Sequence, residues 1–176
     1  VVGKHNLENL HAAQLVCEQI GIDADSFYKA AASFTGAGRR MEKIKETENQ
    51  VVYRDFAHSP SKLKATTEAI KETYNGPLLA IFELHTFSSL NRDFLPLYKG
   101  GMAAADKAIV FYNDAVFEHK KMQFVESNYV AECFENVEIV HSPEILAELV
   151  NAAYQRGDNI LLMSSGKFEE ANFDFS

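Results

Sequence analysis

The chain has 176 residues, is 47% hydrophobic and 24% charged, and carries a net charge of −8, which predicts one ordinary globular domain with a real core and at most a short appended piece. The negative balance argues against nucleic acid or an anionic membrane as a partner, so any anionic ligand has to be met by a local cluster of positive charge. Cys17 and Cys133 are too few and too far apart for a disulfide framework and read as buried structural thiols suited to a reducing cytoplasm, while no apolar run reaches a membrane span and no signal-peptide pattern is present.

The chain opens at Val1 without an initiator Met, which reads as an excised piece of something longer. Asn6 reads as the cap of a helix whose apolar positions Leu10, Ala13, Cys17 and Ile20 recur at helical spacing, with Gly21 ending it. Asp25 starts a second, short helix with Phe27, Ala30, Ala31 and Phe34 on one face. The Gly36-Ala37-Gly38 turn then marks a boundary. Strands are predicted at Met41–Thr47 and Val51–Phe56, followed by a helix opened by Ser59 and Pro60 with Leu63, Thr66, Ile70 and Tyr74 on one face. Leu78–Phe82, Lys107–Tyr112 and Val137–Val140 read as buried strands. Ser142 and Pro143 open a helix carrying Ile145, Leu146, Leu149, Val150 and Ala153, closed by Gly157, and Asn159–Met163 is the last strand. There is no internal repeat and no low-complexity segment.

Strands alternating with helices imply parallel pairing through right-handed crossovers. The loops after four of these strands then open on one edge, where open α/β sheets bind ligands. Those loops carry Asp55 and His58; Glu83, His85 and Ser88; Asn113 and Asp114; and Ser164 and Ser165. A ligand site on that edge follows without any appeal to relatives.

The chemistry of single residues stays open at this level. Arg39 and Arg40 follow a flexible turn and suit phosphate or carboxylate, or form a solvated pair bonded to Glu42 or Glu46. His5, Asn6 and Asn9 make a polar trio at a helix start, serving a ligand or only the cap. His58 and His85 each follow a strand and divide evenly between site and structure, while His11, His119 and His141 have no partner pattern. Asp55 and His58 suggest an acid–base pair, but no nucleophile accompanies them. No grouping has zinc spacing, and there is no Gly-x-x-x-x-Gly-Lys-Ser/Thr phosphate loop.

Three spaced motifs nevertheless stand in register. Gly3-Lys4-His5-Asn6-x-x-Asn9-x-x-Ala12-Ala13, Phe34-x-Gly36-x-x-Arg39-Arg40-x-Glu42 and Asp55-Phe56-Ala57-His58-x-Pro60 together closely resemble the Mur ligases, the ATP-dependent amide-forming enzymes of peptidoglycan synthesis. The late segment Asn159–Phe168, with Met163-Ser164-Ser165-Gly166-Lys167-Phe168, is similar to the branch that attaches the tripeptide L-Ala-γ-D-Glu-meso-diaminopimelate to UDP-N-acetylmuramate during murein recycling. The branch that adds L-alanine to the same sugar nucleotide is the alternative, and a non-catalytic nucleotide- or peptide-binding module is the alternative of another class.

The resemblance implies an α/β fold: a Rossmann-like, mostly parallel sheet flanked by helices and preceded by a short helical segment. It implies that residues 1–33 are the tail of the central, ATP-binding domain and residues 34–176 the C-terminal domain. ATP and Mg2+ would be held mainly by the central domain, and the full-length protein would be a cytoplasmic ligase whose isolated fragment is inactive. Carried over by position, His5, Asn6 and Asn9 would lie near the adenine, Arg39 and Arg40 at the phosphates, and Asp55 at the ribose. Arg40 and His58 would be the catalytic pair. The rim at His85, Ser88, Ser164, Ser165 and Gly166 would receive the peptide. Three departures matter: Leu84-His85-Thr86-Phe87-Ser88-Ser89-Leu90 lacks the arginines usual in the alanine-adding branch, Ser59 replaces a common second histidine, and Lys167 replaces a glycine of the recycling branch.

Overall fold

The computed structural model describes residues 2–34 and 38–176, so Gly36 and Ala37 of the expected boundary turn lie outside the described residues. Two helices come first, α1 (Lys4–Gln19) and α2 (Ala24–Ala31). The Asp23 side chain caps α2, accepting from the Ser26 amide at 2.9 Å. The remainder runs β1 (Glu42–Glu46), β2 (Val51–Asp55), α3 (Pro60–Thr73), β3 (Leu78–Glu83), β4 (Lys107–Phe111), α4 (Ala115–His119), α5 (Ser127–Phe134), β5 (Glu138–Val140), α6 (Pro143–Gln155) and β6 (Asn159–Met163). The predicted strands and the two Ser-Pro helix starts are all present, with boundaries moved by a residue or so. Helices α4 and α5 were not foreseen.

The strands form one sheet in the order β1-β2-β6-β3-β4-β5. All neighbours pair in parallel except β1, which runs antiparallel to β2 with a register shift between Lys43 and Lys45. With the sequence Glu-Lys-Ile-Lys-Glu, β1 is a charged edge strand that discourages pairing with another chain.

Successive strand residues point to opposite faces and so build two cores. Tyr53, Ala80, Phe82, Val110 and Leu161 pack on one side with Leu63 and Ile70 of α3 and with Tyr98, Val130 and Phe134. Val52, Leu79, Ile81, Ile109, Ile160 and Leu162 pack on the other with Leu146, Val150 and Ala153 of α6 and with Phe168. Cys133 is buried in the first core, but Cys17 is only half-buried, so the expectation of two buried thiols holds for one of them.

The N-terminal helices do not bury the faces their spacing predicts. Gln14 is the buried residue of α1, whereas on the predicted face Leu10 and Cys17 are half-buried, Ala13 is exposed and Ile20 is 73% exposed; beyond α2, Phe34 is 59% exposed. Among the described residues no helix is long and apolar enough to cross a membrane.

The strand order places the site. Strand β6, last in the chain, inserts between β2 and β3. The loop after β6 is therefore flanked by the loops after β2 and β3, all at the carboxyl edge of the parallel strands.

Candidate functional site

Two carboxylates anchor this edge. At the end of β2, Asp55 is 8% exposed, and its Oδ2 accepts from the Met41 amide at 2.6 Å. Its backbone carbonyl accepts from the Ser164 amide at 3.0 Å, which ties β2 to the loop after β6. Burial pushes the Asp55 carboxyl above its ordinary value; the amides of Met41 and Ala57, and the nearby charges of Arg40 and His5, oppose that rise. Residues from α1, from the 39–41 segment and from β2 thus converge on one carboxylate.

Around it, the Arg40 guanidinium lies 5.4 Å from the centre of the Phe56 ring, and the His58 ring meets the same ring edge-on at 5.2 Å. His58 Nδ1 lies 2.9 Å from the Phe56 carbonyl. A carbonyl only accepts, so Nδ1 carries the proton and Nε2 is the open nitrogen. Tyr98 holds the loop by donating its hydroxyl to the His58 carbonyl at 2.6 Å. The acid–base pair suggested by spacing is not formed, because Asp55 faces backbone amides and His58 faces a carbonyl. Of the N-terminal trio, His5 reaches the field of Asp55 and Asn6 donates to the Val2 carbonyl at 2.8 Å, while Asn9 is exposed. The Arg39 backbone amide donates to Glu42 Oε2 at 3.0 Å, so the expected tie to Glu42 is made by backbone rather than guanidinium.

Glu83, at the end of β3, is the second anchor and is 4% exposed. Its Oε2 accepts from the Ser164 hydroxyl and, at 3.0 Å, from the Phe168 amide. Ser164 Oγ in turn accepts from the Gly166 amide at 2.6 Å. Gly166 is required by close approach: a Cβ there would stand 2.7 Å from Glu83 Oε2 and 2.9 Å from His85 Cδ2. Ser165 Oγ lies 3.4 Å from His85 Nδ1.

Beside this anchor opens a cleft of about 690 Å³ whose walls include Arg39, His85, Asn113, His119, Lys120 and Lys167. Glu83, Ser165, Gly166, Glu169 and Glu170 also line it. Its far wall exists because Asn113 Oδ1 accepts the Ala115 amide at 2.9 Å and so starts α4 directly after β4. Phe168, Glu169 and Glu170 hold positive φ values of 52°, 49° and 61°, a strained run for residues with side chains, and Glu169 accepts from Asn113 Nδ2 at 2.5 Å.

The structure thus gathers His85, Ser165, Gly166 and Arg39 at the cleft. Two expected rim residues do not face it. Ser164 is 5% exposed and engaged with Glu83. Ser88 sits in a turn, 3.1 Å from Thr86 Oγ1, where Ser89 Oγ organises the backbone by accepting the His85 and Thr86 amides at 3.1 and 3.0 Å. Missed from sequence were His119, Lys120, Glu169 and Glu170; the Asn113-Asp114 pair after β4 was the available signal for the short helix that carries the first two. His141, left without a partner in the sequence reading, lies 2.9 Å from Ser127 Oγ through Nε2. Its Nδ1 is 2.9 Å from Asp114 Oδ1 but off the line of a hydrogen bond, so Asp114, His141 and Ser127 form no relay.

Among the described residues no group of three or more His, Cys, Asp or Glu side chains is placed to hold a metal ion. What the Asp55 side offers a nucleotide is partial: cationic Arg40, an anchored carboxylate and an open imidazole nitrogen.

Comparison with known proteins gives one consistent result. The family described as "Mur ligase, glutamate ligase domain" matches residues 39–166. A UDP-N-acetylmuramate–L-alanine ligase of Caldicellulosiruptor saccharolyticus is 32% identical over 170 residues, covering 94% of this chain and 37% of that relative. Among solved structures, the UDP-N-acetylmuramate–alanine ligase of Thermotoga maritima superposes with a TM-score of 0.73 at 19% identity, covering 97% of this chain and 36% of that one. A murein peptide ligase of Psychrobacter arcticus gives 0.64 at 23% identity, covering 97% and 36%. The matched stretches cover only 24% and 37% of the length of two curated ligases.

Proposed function

The chain belongs to the Mur ligase family, and from that premise we propose that it is the C-terminal part of an ATP-dependent, amide-forming ligase that joins the tripeptide L-Ala-γ-D-Glu-meso-diaminopimelate to UDP-N-acetylmuramate. In this reading the sugar nucleotide's carboxylate takes the terminal phosphoryl group of ATP, the peptide amine attacks the activated carbonyl, and phosphate leaves. Residues 1–33 are the tail of the central domain, and the protein's own N-terminal and central domains complete the cleft and hold ATP and Mg2+. Support for that partner comes from the apolar residues that α1 and its flanks leave exposed, Leu7, Leu15, Val16 and Ile20. The full-length enzyme works in the cytoplasm, with neither nucleic acid nor membrane as a partner.

This chain's residues position groups and meet charge rather than form bonds. Arg40, with Arg39 beside it, offsets phosphate charge. Asp55 fixes the 39–41 segment and receives a ribose hydroxyl, and His58 presents Nε2 toward the reacting groups. His5, Asn6 and Asn9 border the adenine. His85, Ser165 and Gly166 shape the wall that admits the amine. Ser164 holds that wall from behind through Glu83, and Ser88 does so within the turn after β3.

The observation that carries the tripeptide reading is the cleft: about 690 Å³, walled by Lys120, Lys167 and Arg39 as well as Glu169 and Glu170. That volume suits a ligand well beyond the size of one alanine, and its walls meet charges of both signs. Alanine addition is the second reading, favoured by the names of relatives such as that of C. saccharolyticus. ATP turnover by the full-length enzyme with UDP-N-acetylmuramate decides between them: the tripeptide stimulates turnover and alanine does not. Stimulation by alanine alone overturns the first reading. The isolated 176-residue chain is expected to hydrolyse no ATP.

A further inference from the structure

We propose that Asn151 and Phe173 are positioning residues for the cleft: they hold an extended strap, residues 171–176, on α6 and so keep the strained run Phe168–Glu170 where it walls the cleft. That this wall serves an incoming amine rests on the ligase reading above. Neither Asn151 nor Phe173 lines the cleft, whereas Lys167, Glu169 and Glu170 do. Both act through Phe168.

Phe168, Glu169 and Glu170 all sit at positive φ, where a Cβ crowds the neighbouring carbonyl oxygen, and such a run persists only where its surroundings over-determine it. Two of its restraints come from the sheet edge: Glu83 Oε2 accepts the Phe168 amide, and Glu169 accepts from Asn113 Nδ2. The third is aromatic. The Phe168 ring, 4% exposed, is wedged between Phe111 of β4, with centroids 6.2 Å apart, and Phe173, which meets it edge-on at 5.8 Å.

Phe173 is itself placed by α6. Half-buried Ala171, Phe173 and Phe175 alternate with exposed Asn172, Asp174 and Ser176, the pattern of an extended chain with one covered face. Among the described residues no strand pairs with this segment, and side chains of α6 meet its backbone instead. Asn151 Oδ1 accepts the Asp174 amide at 2.9 Å, Asn151 Nδ2 donates to the Asn172 carbonyl at 3.3 Å, and the Tyr154 hydroxyl donates to the Phe175 carbonyl at 3.3 Å. Asn151 thus stands in for a neighbouring strand on both sides of Phe173 and fixes where that ring meets Phe168. Phe175 stacks on Phe173 at 6.1 Å and meets Tyr154 edge-on at 5.2 Å. An unbroken line of rings therefore carries the restraint from α6 to the cleft wall.

The test combines amide hydrogen exchange of the full-length protein with its steady-state constants, measured with UDP-N-acetylmuramate, ATP and whichever amine, tripeptide or alanine, stimulates the wild type. Phe173→Ala removes the ring and leaves the strap's backbone bonds. It is expected to speed exchange in the segment 164–170 about 10-fold, the effect of losing one aromatic contact from a locally opening unit, with β3 and β6 exchanging as in the wild type. The KM for the amine rises several-fold, because a displaced wall no longer holds the amine in reacting geometry, while the KM for ATP is unchanged. Phe173→Leu, which keeps an apolar side chain against Phe168, restores most of both. Asn151→Ala, which frees the strap without touching any ring, moves the same two quantities in the same direction. Unchanged exchange in 164–170, or exchange that quickens equally throughout the sheet, overturns the strap's hold on the wall. Faster exchange there with an unchanged amine KM overturns the positioning role. If no amine stimulates the wild type, the ligase reading falls, and the exchange result alone decides whether the strap holds the wall.

Discussion

Asp55 and Glu83 occupy equivalent places, at the carboxyl ends of the two strands that flank β6, yet they are satisfied in different ways. Asp55 is held by backbone amides from the segment before β1 and from its own loop, with Arg40 and His5 in its field. Glu83 is held by a hydroxyl and an amide from the loop after β6, and Gly166 packs against it. The first arrangement gathers cations at the β2 side of the edge. The second fixes the backbone of a wall and leaves the cations to α4 and Lys167. One sheet edge thus carries two environments, suited in the proposed reading to a nucleotide and to an incoming amine.

The sharpest way to break this division is Gly166→Val. The added Cβ meets a buried, tethered carboxylate that cannot swing away without losing its bonds. We expect a loss of about 3 kcal/mol, the upper end for overpacking, read by thermal or denaturant unfolding, and a strong rise in the amine KM. Glu83→Ala removes the acceptor for two buried donors and is expected to cost about 2 kcal/mol. Glu83→Gln, which keeps one acceptor oxygen, costs less. Asp55→Ala leaves the Met41 amide without its partner in a half-buried segment and is expected to cost about 1 kcal/mol.

The smallest effect is a pH dependence. Because burial raises the Asp55 carboxyl, the folded state holds that proton more tightly than the unfolded chain does. The resulting stabilisation is complete below the ordinary aspartate range and is lost as pH rises through the raised value. Asp23 and Asp106, whose carboxyls are lowered chiefly by hydrogen bonds from Ser26 and Lys71, act in the opposite sense. The readout is therefore the difference in unfolding free energy between wild type and Asp55→Asn as a function of pH: the wild type loses ground as pH rises. A flat difference contradicts the burial argument.

Much of this edge was legible in the sequence. The runs Val51–Asp55, Leu78–Glu83, Lys107–Phe111 and Asn159–Met163 are apolar enough to declare buried strands, and their loops brought Asp55, His58, His85 and Ser165 to one side. Other features escaped that reading. Helix α4 is 5 residues long, too short to display a repeating apolar face, so His119 and Lys120 had no visible place. The antiparallel direction of β1 was within reach of the sequence, because the four residues between Glu46 and Val51 are too few for a parallel crossover and leave a hairpin. The apolar spacing of α1 was real, but of Leu10, Ala13, Cys17 and Ile20 none is fully buried in this chain, and Ile20 is 73% exposed. Ser164 was a polar residue at the right edge whose hydroxyl turned out to be engaged by Glu83.

The central claim, that Asp55 and Glu83 organise two functionally separate halves of one edge, is tested most directly by a crossed pair of steady-state constants. The full-length Asp55→Ala and Glu83→Gln variants are each assayed for the KM of ATP and the KM of the incoming amine. The account predicts that Asp55→Ala raises the first and spares the second, and that Glu83→Gln does the reverse. Both variants moving the same constant would contradict it.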